Sequence, residues 1–326
     1  MASILGWIVG AVFLAAALIV GYFVLATRRI AARAERLVPP SGKFIDVGGN
    51  RIHYVETGEG RPIVFVHGLG GQLHHFRHTM FPLLPGYRLI ALDRPGSGYS
   101  VRAPGATARL PEQAEVVAGF VRALGLEKPL LVGHSLGGAV ALTVALNHPE
   151  LVSGVVALAP LTHMEDEIRP EFRSLYIPSK LKRWLLVQTT AVPASLKYAR
   201  PTLNFVFGPQ KWPEDYIIDG GGMLGLRPSH LYATSSDIVA IEKDLGEIEG
   251  RYGEIRMPAA VMFGTADRVL DHKRHGLPMR GKIANLDFEL VDGHGHMLQF
   301  TAGERVAELI ARIAGTGLRL VVAKAA

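Results

Sequence analysis

Leu130-Leu131-Val132-Gly133-His134-Ser135-Leu136-Gly137-Gly138 is the stretch that decides the fold. A short apolar run ends at Gly133, and an apolar, alanine-rich segment from Ala139 to Leu146 begins directly after the turn. The reading is strand, sharp turn, helix. So tight a turn forces Ser135 into a strained backbone conformation, and Gly133 and Gly137 remove the Cβ atoms that would otherwise collide. The serine hydroxyl then stands clear of the strand end. The amide of Leu136 opens a helix, where unpaired N–H groups favour developing negative charge. Such an arrangement suits attack on a carbonyl carbon. The alternative is a plain polar residue in a glycine-rich turn, and the rest of the chain decides between them.

Toward the amino terminus, Pro62-Ile63-Val64-Phe65-Val66 is apolar without alternation and reads as a fully buried strand. It stops at His67-Gly68-Leu69-Gly70-Gly71, where missing side chains let a backbone amide approach a ligand oxygen. The N–H of Leu69 is the candidate to pair with that of Leu136 as an oxyanion hole, against the simpler reading of a strand-to-helix turn. Lys43–Val47 and Arg51–Glu56 flank Gly48-Gly49-Asn50, the signature of a hairpin. Tyr87–Leu92 is another strand, and Asp93-Arg94-Pro95-Gly96-Ser97-Gly98 fixes the loop after it, with Asp93 and Arg94 as loop anchors. Pro111–Leu124 has the apolar spacing of a helix packed on a sheet. His74, His75 and His78 include a four-residue spacing that suits a metal, but no third ligand stands beside them. They are expected to be partly exposed helix histidines, with no metal and no cofactor.

Toward the carboxyl terminus, Gly154–Ala159 and Pro258–Phe263 read as buried strands, and Leu286–Val291 as a further strand. Asp267 stands just beyond the second of these, and His294 and His296 follow the third in Asp292-Gly293-His294-Gly295-His296-Met297. Asp271, among His272, Lys273 and Arg274, reads as a solvated charge cluster. Asp292 is too near the histidines in sequence to face them from another strand end. Residues 161–245 differ in texture, with recurrent prolines and aromatics and no strand-then-helix alternation. They read as a mainly helical insertion whose aromatics form its own small core more often than they line a pocket. Gly220-Gly221-Gly222 within it fits either a hinge or a loop.

His67-Gly68-Leu69-Gly70, Asp93-Arg94-Pro95-Gly96-Ser97-Gly98 and Gly133-His134-Ser135-Leu136-Gly137, in this order on successive strand ends, resemble the α/β-hydrolase family over roughly residues 43 to 316. The resemblance implies a mostly parallel eight-stranded sheet flanked by helices, with residues 161–245 as an inserted cap. It implies the order serine, acid, histidine, met here by Ser135, Asp267 and His296, with His296 matching the family pattern better than His294. His67, Gly68, Gly70, Gly133 and Gly137 would be the supporting loop residues, and His134 a turn residue directed elsewhere. Relatives that open epoxides or remove halogens carry aspartate at the nucleophile position. Serine here points instead to the carboxylesterase and lipase branch.

The amino terminus is separate. From Ile4 to Ala26 there is no charged residue, a run long enough at about 1.5 Å per residue to cross a hydrocarbon core of about 30 Å. A cleaved signal peptide would need a basic segment first and a shorter apolar region, whereas here Arg28, Arg29, Arg33 and Arg36 follow the run. A single transmembrane helix is expected, with the arginine flank and the globular domain on the cytoplasmic side. Net charge is +6 among 326 residues, and mean hydropathy is +0.22. Part of the basic excess lies in these arginines, which can rest against anionic headgroups. No basic stretch is interleaved with stacking aromatics, so nucleic acid is not an expected partner. Absence of cysteine excludes disulfides, thiolate metal sites and a cysteine nucleophile.

Four segments result: an anchor and linker over 1–40, the first half of the core over 41–160, the cap over 161–245 and the second half of the core over 246–326. The expected activity is hydrolysis of apolar carboxylic esters or monoacyl lipids through an acyl-enzyme. Carbon–carbon bond hydrolysis, lactone opening and acyl transfer use the same triad. From a different class stands an inactive membrane-tethered binding protein. Oligomeric state is not legible.

Overall fold

Eight strands form one sheet in the order β1-β2-β4-β3-β5-β6-β7-β8 in a computed structural model that describes residues 2–241 and 243–315. Residues 316–326 of the segment 246–326 lie outside the described residues. The strands are β1 (Lys43–Val47), β2 (Asn50–Thr57), β3 (Pro62–Val66), β4 (Arg88–Leu92), β5 (Leu130–His134), β6 (Gly154–Leu158), β7 (Ala259–Gly264) and β8 (Asp287–Val291). The β1–β2 hairpin is antiparallel, with Phe44 opposite His53, and β2 runs antiparallel to β4 with Tyr54 opposite Leu92. From β4 to β8 every pairing is parallel. A parallel sheet needs cover on both faces, and the alternation of each strand supplies it. Val64, Val66, Leu131 and Val261 join α3 (Leu110–Ala123) and α4 (Leu136–Asn147) on one side. Ile63, Phe65, Val132 and Met262 meet α11 (Gly303–Ile313) on the other.

The helices before this last one are α1 (Ala2–Leu37), the short α2 (His74–Arg77), α5 (Lys180–Gln188), α6 (Ala191–Phe207), α7 (Pro228–Ile241), α8 (Leu245–Arg251), and the short α9 (His272–His275) and α10 (Leu298–Thr301). Between β6 and β7 the chain carries α5 to α8 and four short 3-10 segments, with no strand among the described residues. It lies over the carboxyl ends of the parallel strands, so its helices face the loops that close β3, β5 and β7. Gly220 is held there as a loop, because its carbonyl accepts from the side-chain amide of Gln72 at 2.7 Å.

Helix α1 is longer than the apolar run alone suggests. Its 36 residues run on through the arginine flank to Leu37, where Pro39 and Pro40 forbid continuation. Ile4, Trp7, Phe13 and Leu18 are exposed, so the amino-terminal half stands free of the globular domain. The carboxyl-terminal part is docked. Thr27 is buried and donates to Thr189 O at 2.5 Å, Glu35 pairs with Arg227 at 2.8 Å, and Tyr99 Oη donates to Val38 O at 2.5 Å.

Candidate active site

Ser135 sits between β5 and α4 with φ +54° and ψ −120°, a conformation that L residues adopt only under constraint. Its amide donates to Leu158 O of the neighbouring strand at 2.9 Å, which pins the turn to the sheet. The flanking glycines are required by space. A Cβ at Gly133 would run into the carbonyl of Gly137, and a Cβ at Gly137 would meet the carbonyls of Val66 and His67. Gly68 approaches from the other side, where a Cβ would lie 2.9 Å from Ser135 Cβ.

Asp267 follows β7, and its carboxylate is fully buried. Oδ1 accepts from the amides of Val269 and Leu270 at 2.8 and 3.0 Å, leaving Oδ2 to meet His296 Nδ1 at 2.8 Å. Two fixed amides and one imidazole leave that carboxylate a single orientation. His296 lies on the loop between β8 and α10, lining one cavity together with Ser135, Leu69 and Leu136. The other candidates face elsewhere: His294 Nδ1 contacts Thr301 Oγ1 at 3.2 Å, Asp292 accepts from Thr265, and Asp271 caps α9 by accepting from Lys273 N.

Among the described residues, no protein acceptor takes the amide protons of Leu69 or Leu136. Both residues, one at a helix start and one in a glycine loop, line the cavity. Below them the loop is braced by polar contacts that are closed to solvent. His67 Nδ1 meets Gly68 O at 2.8 Å and its Nε2 accepts from Arg94 N at 2.9 Å, which requires the neutral ring. Burial, helped by the Arg94 charge, holds its pKa well below the usual histidine value. Arg94, wholly buried, donates to the carbonyls of His67 and Gly68, both at 2.9 Å, and pairs with Asp237 of α7 at 2.7 Å. Asp237 pairs a second time, with Arg102 at 2.7 Å. Asp93 serves the same loop by accepting from Leu73 N and Tyr99 N and by meeting His53 Nδ1.

Two histidine expectations need correction. His134 is not directed away from the site: its ring lies 4.7 Å from that of His296, and its Nε2 meets His296 O at 3.0 Å. Since β5 ends one residue before the elbow, its last side chain falls beside the loop carrying the second imidazole. Burial and the neighbouring His296 charge hold the His134 pKa well below normal, so the ring is neutral. His74 and His75 are buried rather than partly exposed, because α2 is tucked beneath the β3 loop. His75 lines the cavity and meets Tyr216 Oη at 3.2 Å, with its pKa lowered to about 3 chiefly by burial. Only His78 is half exposed, against Asp215 at 3.0 Å. No group of three potential ligands with metal-binding geometry occurs among the described residues.

The cavity has a volume of about 570 Å³. Leu161, Phe172, Leu203, Val206, Ile238 and Val269 make most of its wall apolar. Glu165, Asp166 and Glu167 stand at its rim with Arg169. Sequence reasoning did not single out His75 or Thr234 as lining residues, or Asp237 as the brace behind the loop. Asp237 sits 143 positions from Arg94, and no local pattern marks such a pair.

The family description "alpha/beta hydrolase fold" matches residues 61–176. Together with the sheet order and the strand–elbow–helix geometry, this gives the chain the α/β-hydrolase fold. A 2-hydroxy-6-oxononadienedioate/2-hydroxy-6-oxononatrienedioate hydrolase of Paraburkholderia phymatum is 28% identical over 280 residues, 83% of this chain and 94% of that protein. A 2-hydroxy-6-oxo-6-phenylhexa-2,4-dienoate hydrolase of Burkholderia cepacia is 27% identical over 255 residues, 77% and 86% of the two chains. Among solved structures, a membrane phospholipase A described as a bacterial virulence factor superposes with a TM-score of 0.67 at 24% identity, covering 97% of this chain and 98% of that one. At that identity the likeness concerns the fold. Hydrolase is the class that the family and these relatives define.

Proposed function

We propose that the chain is a membrane-anchored serine hydrolase of neutral, apolar carboxylic esters, with Ser135 as nucleophile, His296 as base and Asp267 as the acid that orients it. The observation that carries this reading is the arrangement at one cavity: a serine on a strained elbow and an imidazole held by a buried carboxylate, beneath an apolar wall. A serine hydroxyl is a weak nucleophile at neutral pH. His296 Nε2 takes its proton as Oγ bonds to the acyl carbon, and Asp267 keeps Nδ1 protonated and offsets the imidazolium charge. The amides of Leu69 and Leu136 stabilise the oxyanion, a role in which losing one donor costs roughly 10²–10³ in rate. The imidazolium returns its proton to the leaving alkoxide, and water then releases the acid by the same route.

The relatives favour a second reading, hydrolysis of a carbon–carbon bond, because the substrates their names give are carboxylates with a ketone. The cavity argues for the ester. Its wall is mostly apolar, the carboxylates Glu165, Asp166 and Glu167 at its rim are paired with His275, Arg274 and Arg173, and Arg169, the lining cation among the described residues, donates to Val269 O at 2.6 Å. A dianionic substrate would find mainly apolar wall there, whereas a neutral ester matches it.

The anchor reading takes α1 as a retained span with its arginine flank on the cytoplasmic side. Docking of Thr27 to Val38 on the globular domain favours retention over cleavage, since a removed leader has no reason to be built into the fold. A fluorophosphonate probe tests the nucleophile: wild type labels and Ser135→Ala does not. Equal labelling of both, or none, refutes the serine reading and leaves the inactive binder. With labelling established, turnover of p-nitrophenyl esters of increasing chain length supports the ester reading, and turnover only of a 2-hydroxy-6-oxo-dienoate overturns it in favour of carbon–carbon cleavage.

A further inference from the structure

The apolar surface of the chain does not end with α1. On α5, Arg183 and Val187 form the buried face, and the opposite face presents Leu181, Trp184 and Leu185, each about half exposed or more. These positions are three and four apart, one stripe of a helix turned outward. On α6, Leu196 and Tyr198 are exposed as well. A soluble surface does not ordinarily group a tryptophan, a tyrosine and three leucines in this way.

Where this surface lies follows from α1. Thr27, the first residue after the uncharged run Ile4–Ala26, bonds to Thr189 O at the carboxyl end of α5. Ile30, one turn on, packs with Val187 and Val192 across the α5–α6 turn. The end of α5 and the start of α6 therefore stand at the level where a spanning α1 leaves the hydrocarbon, within the headgroup layer. Charge agrees with that position. No acidic residue occurs between Glu171 and Glu214, while Lys180, Lys182, Lys197, Arg200 and Lys211 are exposed. Lys197 Nζ lies 5.4 Å from the centroid of the Tyr198 ring, an aromatic and a cation side by side. Amphipathic tryptophan and tyrosine with basic neighbours are the composition of a membrane interface.

We infer that the outer face of α5 and the amino-terminal half of α6 form a second membrane contact, lying on the anionic headgroups of the leaflet through which α1 passes. The inference rests on the anchor reading of α1 and deepens the substrate reading. Leu203 and Val206, on the carboxyl-terminal half of α6, line the catalytic cavity. One helix thus runs from the bilayer surface to the chamber above Ser135, giving an apolar ester a route that need not cross water.

The chain has no cysteine, so single reporters can be placed without a background substitution. Full-length protein carrying a nitroxide at Leu181→Cys, Leu185→Cys, Phe13→Cys or Glu150→Cys is reconstituted into phosphatidylcholine vesicles containing phosphatidylglycerol. Collision rates with oxygen and with a nickel chelate are then compared. Glu150 is exposed before β6, at the end of the sheet away from the cap, and is the aqueous reference. The oxygen-to-nickel ratio at 181 and 185 is expected to exceed that at 150 several-fold, and to fall when Lys180→Glu and Lys182→Glu are added. Aqueous ratios at 181 and 185 with a lipid ratio at 13 overturn this contact alone, whereas an aqueous ratio at 13 overturns the anchor itself. Spin–spin broadening between copies labelled at 185 also refutes the inference, because a second chain then covers the stripe. A lipid ratio that survives the double charge reversal refutes the headgroup half of it.

Discussion

Asp237→Asn is the most informative single change, because it removes a charge that two arginines share behind the loop that follows β3. The carboxylate is fully buried and meets Arg94 and Arg102, both at 2.7 Å. Arg94 is itself inaccessible to solvent and keeps Gln113 and the carbonyls of His67 and Gly68 as its other partners. The substitution therefore leaves a buried guanidinium with neutral acceptors only. Breaking a buried pair from one side costs about 3–5 kcal/mol, which in a domain of this size lowers Tm by roughly 5–10 °C. Arg102→Met should cost less, because the fully buried half of the triad survives. Thermal unfolding in detergent, followed by circular dichroism, measures both. Activity should fall with Asp237→Asn even below the transition, since Arg94 fixes the carbonyls on either side of the Gly68 nitrogen, one residue before the Leu69 amide. An Asp237→Asn protein melting within about 2 °C of wild type would refute the clamp, because so small a shift matches only ~1 kcal/mol.

Asp267→Asn is expected to preserve the fold, since Oδ1 can still accept from Val269 and Leu270, but its amide would donate to His296 Nδ1 and move the ring proton to Nε2. Steady-state kinetics should show kcat lowered by ~10⁴, while His294→Ala leaves it nearly unchanged. Gly98→Ala places a Cβ against the Asp93 carboxylate at φ +50°, and denaturant unfolding should register a loss of about 2–4 kcal/mol from overpacking and backbone strain. The pH dependence follows from His75, buried neutral with its pKa lowered from the ordinary 6.5 to about 3. The unfolded chain binds its proton first as pH falls, so the stability this residue contributes is present above about 6.5 and is lost between there and about 3. In unfolding titrations between pH 6 and 4, His75→Gln should flatten the slope by up to ~1.4 kcal/mol per pH unit.

The legible parts of the fold are those whose cause is local. Pro62–Val66 and Leu130–Val132 are continuous apolar runs because parallel strands are covered on both faces, and the glycines of the elbow occupy positions where any Cβ would strike a neighbouring carbonyl. The motifs at the strand ends and the resemblance they carry offered Ser135, Asp267 and His296 as candidates, and the structure brings Asp267 and His296 into contact and sets His296 and Ser135 at one cavity. What escaped is set by distance along the chain. His134 has no local signal for its place beside His296, 162 positions later. The burial of His74 and His75 depends on the α2 turn folding under strands and a cap that the segment itself does not encode. The uncharged run by itself marks α1 only as far as Ala26, whereas the helix continues through the arginine flank because Ile30 and Ala34 have a surface to pack on.

Apart from His134 with His296, the long-range contacts missed in this way share a location, the seam between the cap and the sheet. Arg94 with Asp237, His75 with Tyr216, and Gln72 with Gly220 all cross it, and each joins a loop at a strand end to the inserted segment. Apolar packing alone would let such an insertion slide, because dispersion contacts are non-directional. A buried, hydrogen-bonded charge has one register and a large penalty for any other. With Asp237 fixing α7 over the loop that follows β3 and Thr189 and Arg227 tying the same cap to α1, the cavity wall and the apolar helix are held in one frame. Weakening the tie to α1 should therefore change how substrate reaches Ser135 more than how it reacts there, a difference read as KM moving with kcat unchanged for Arg227→Met.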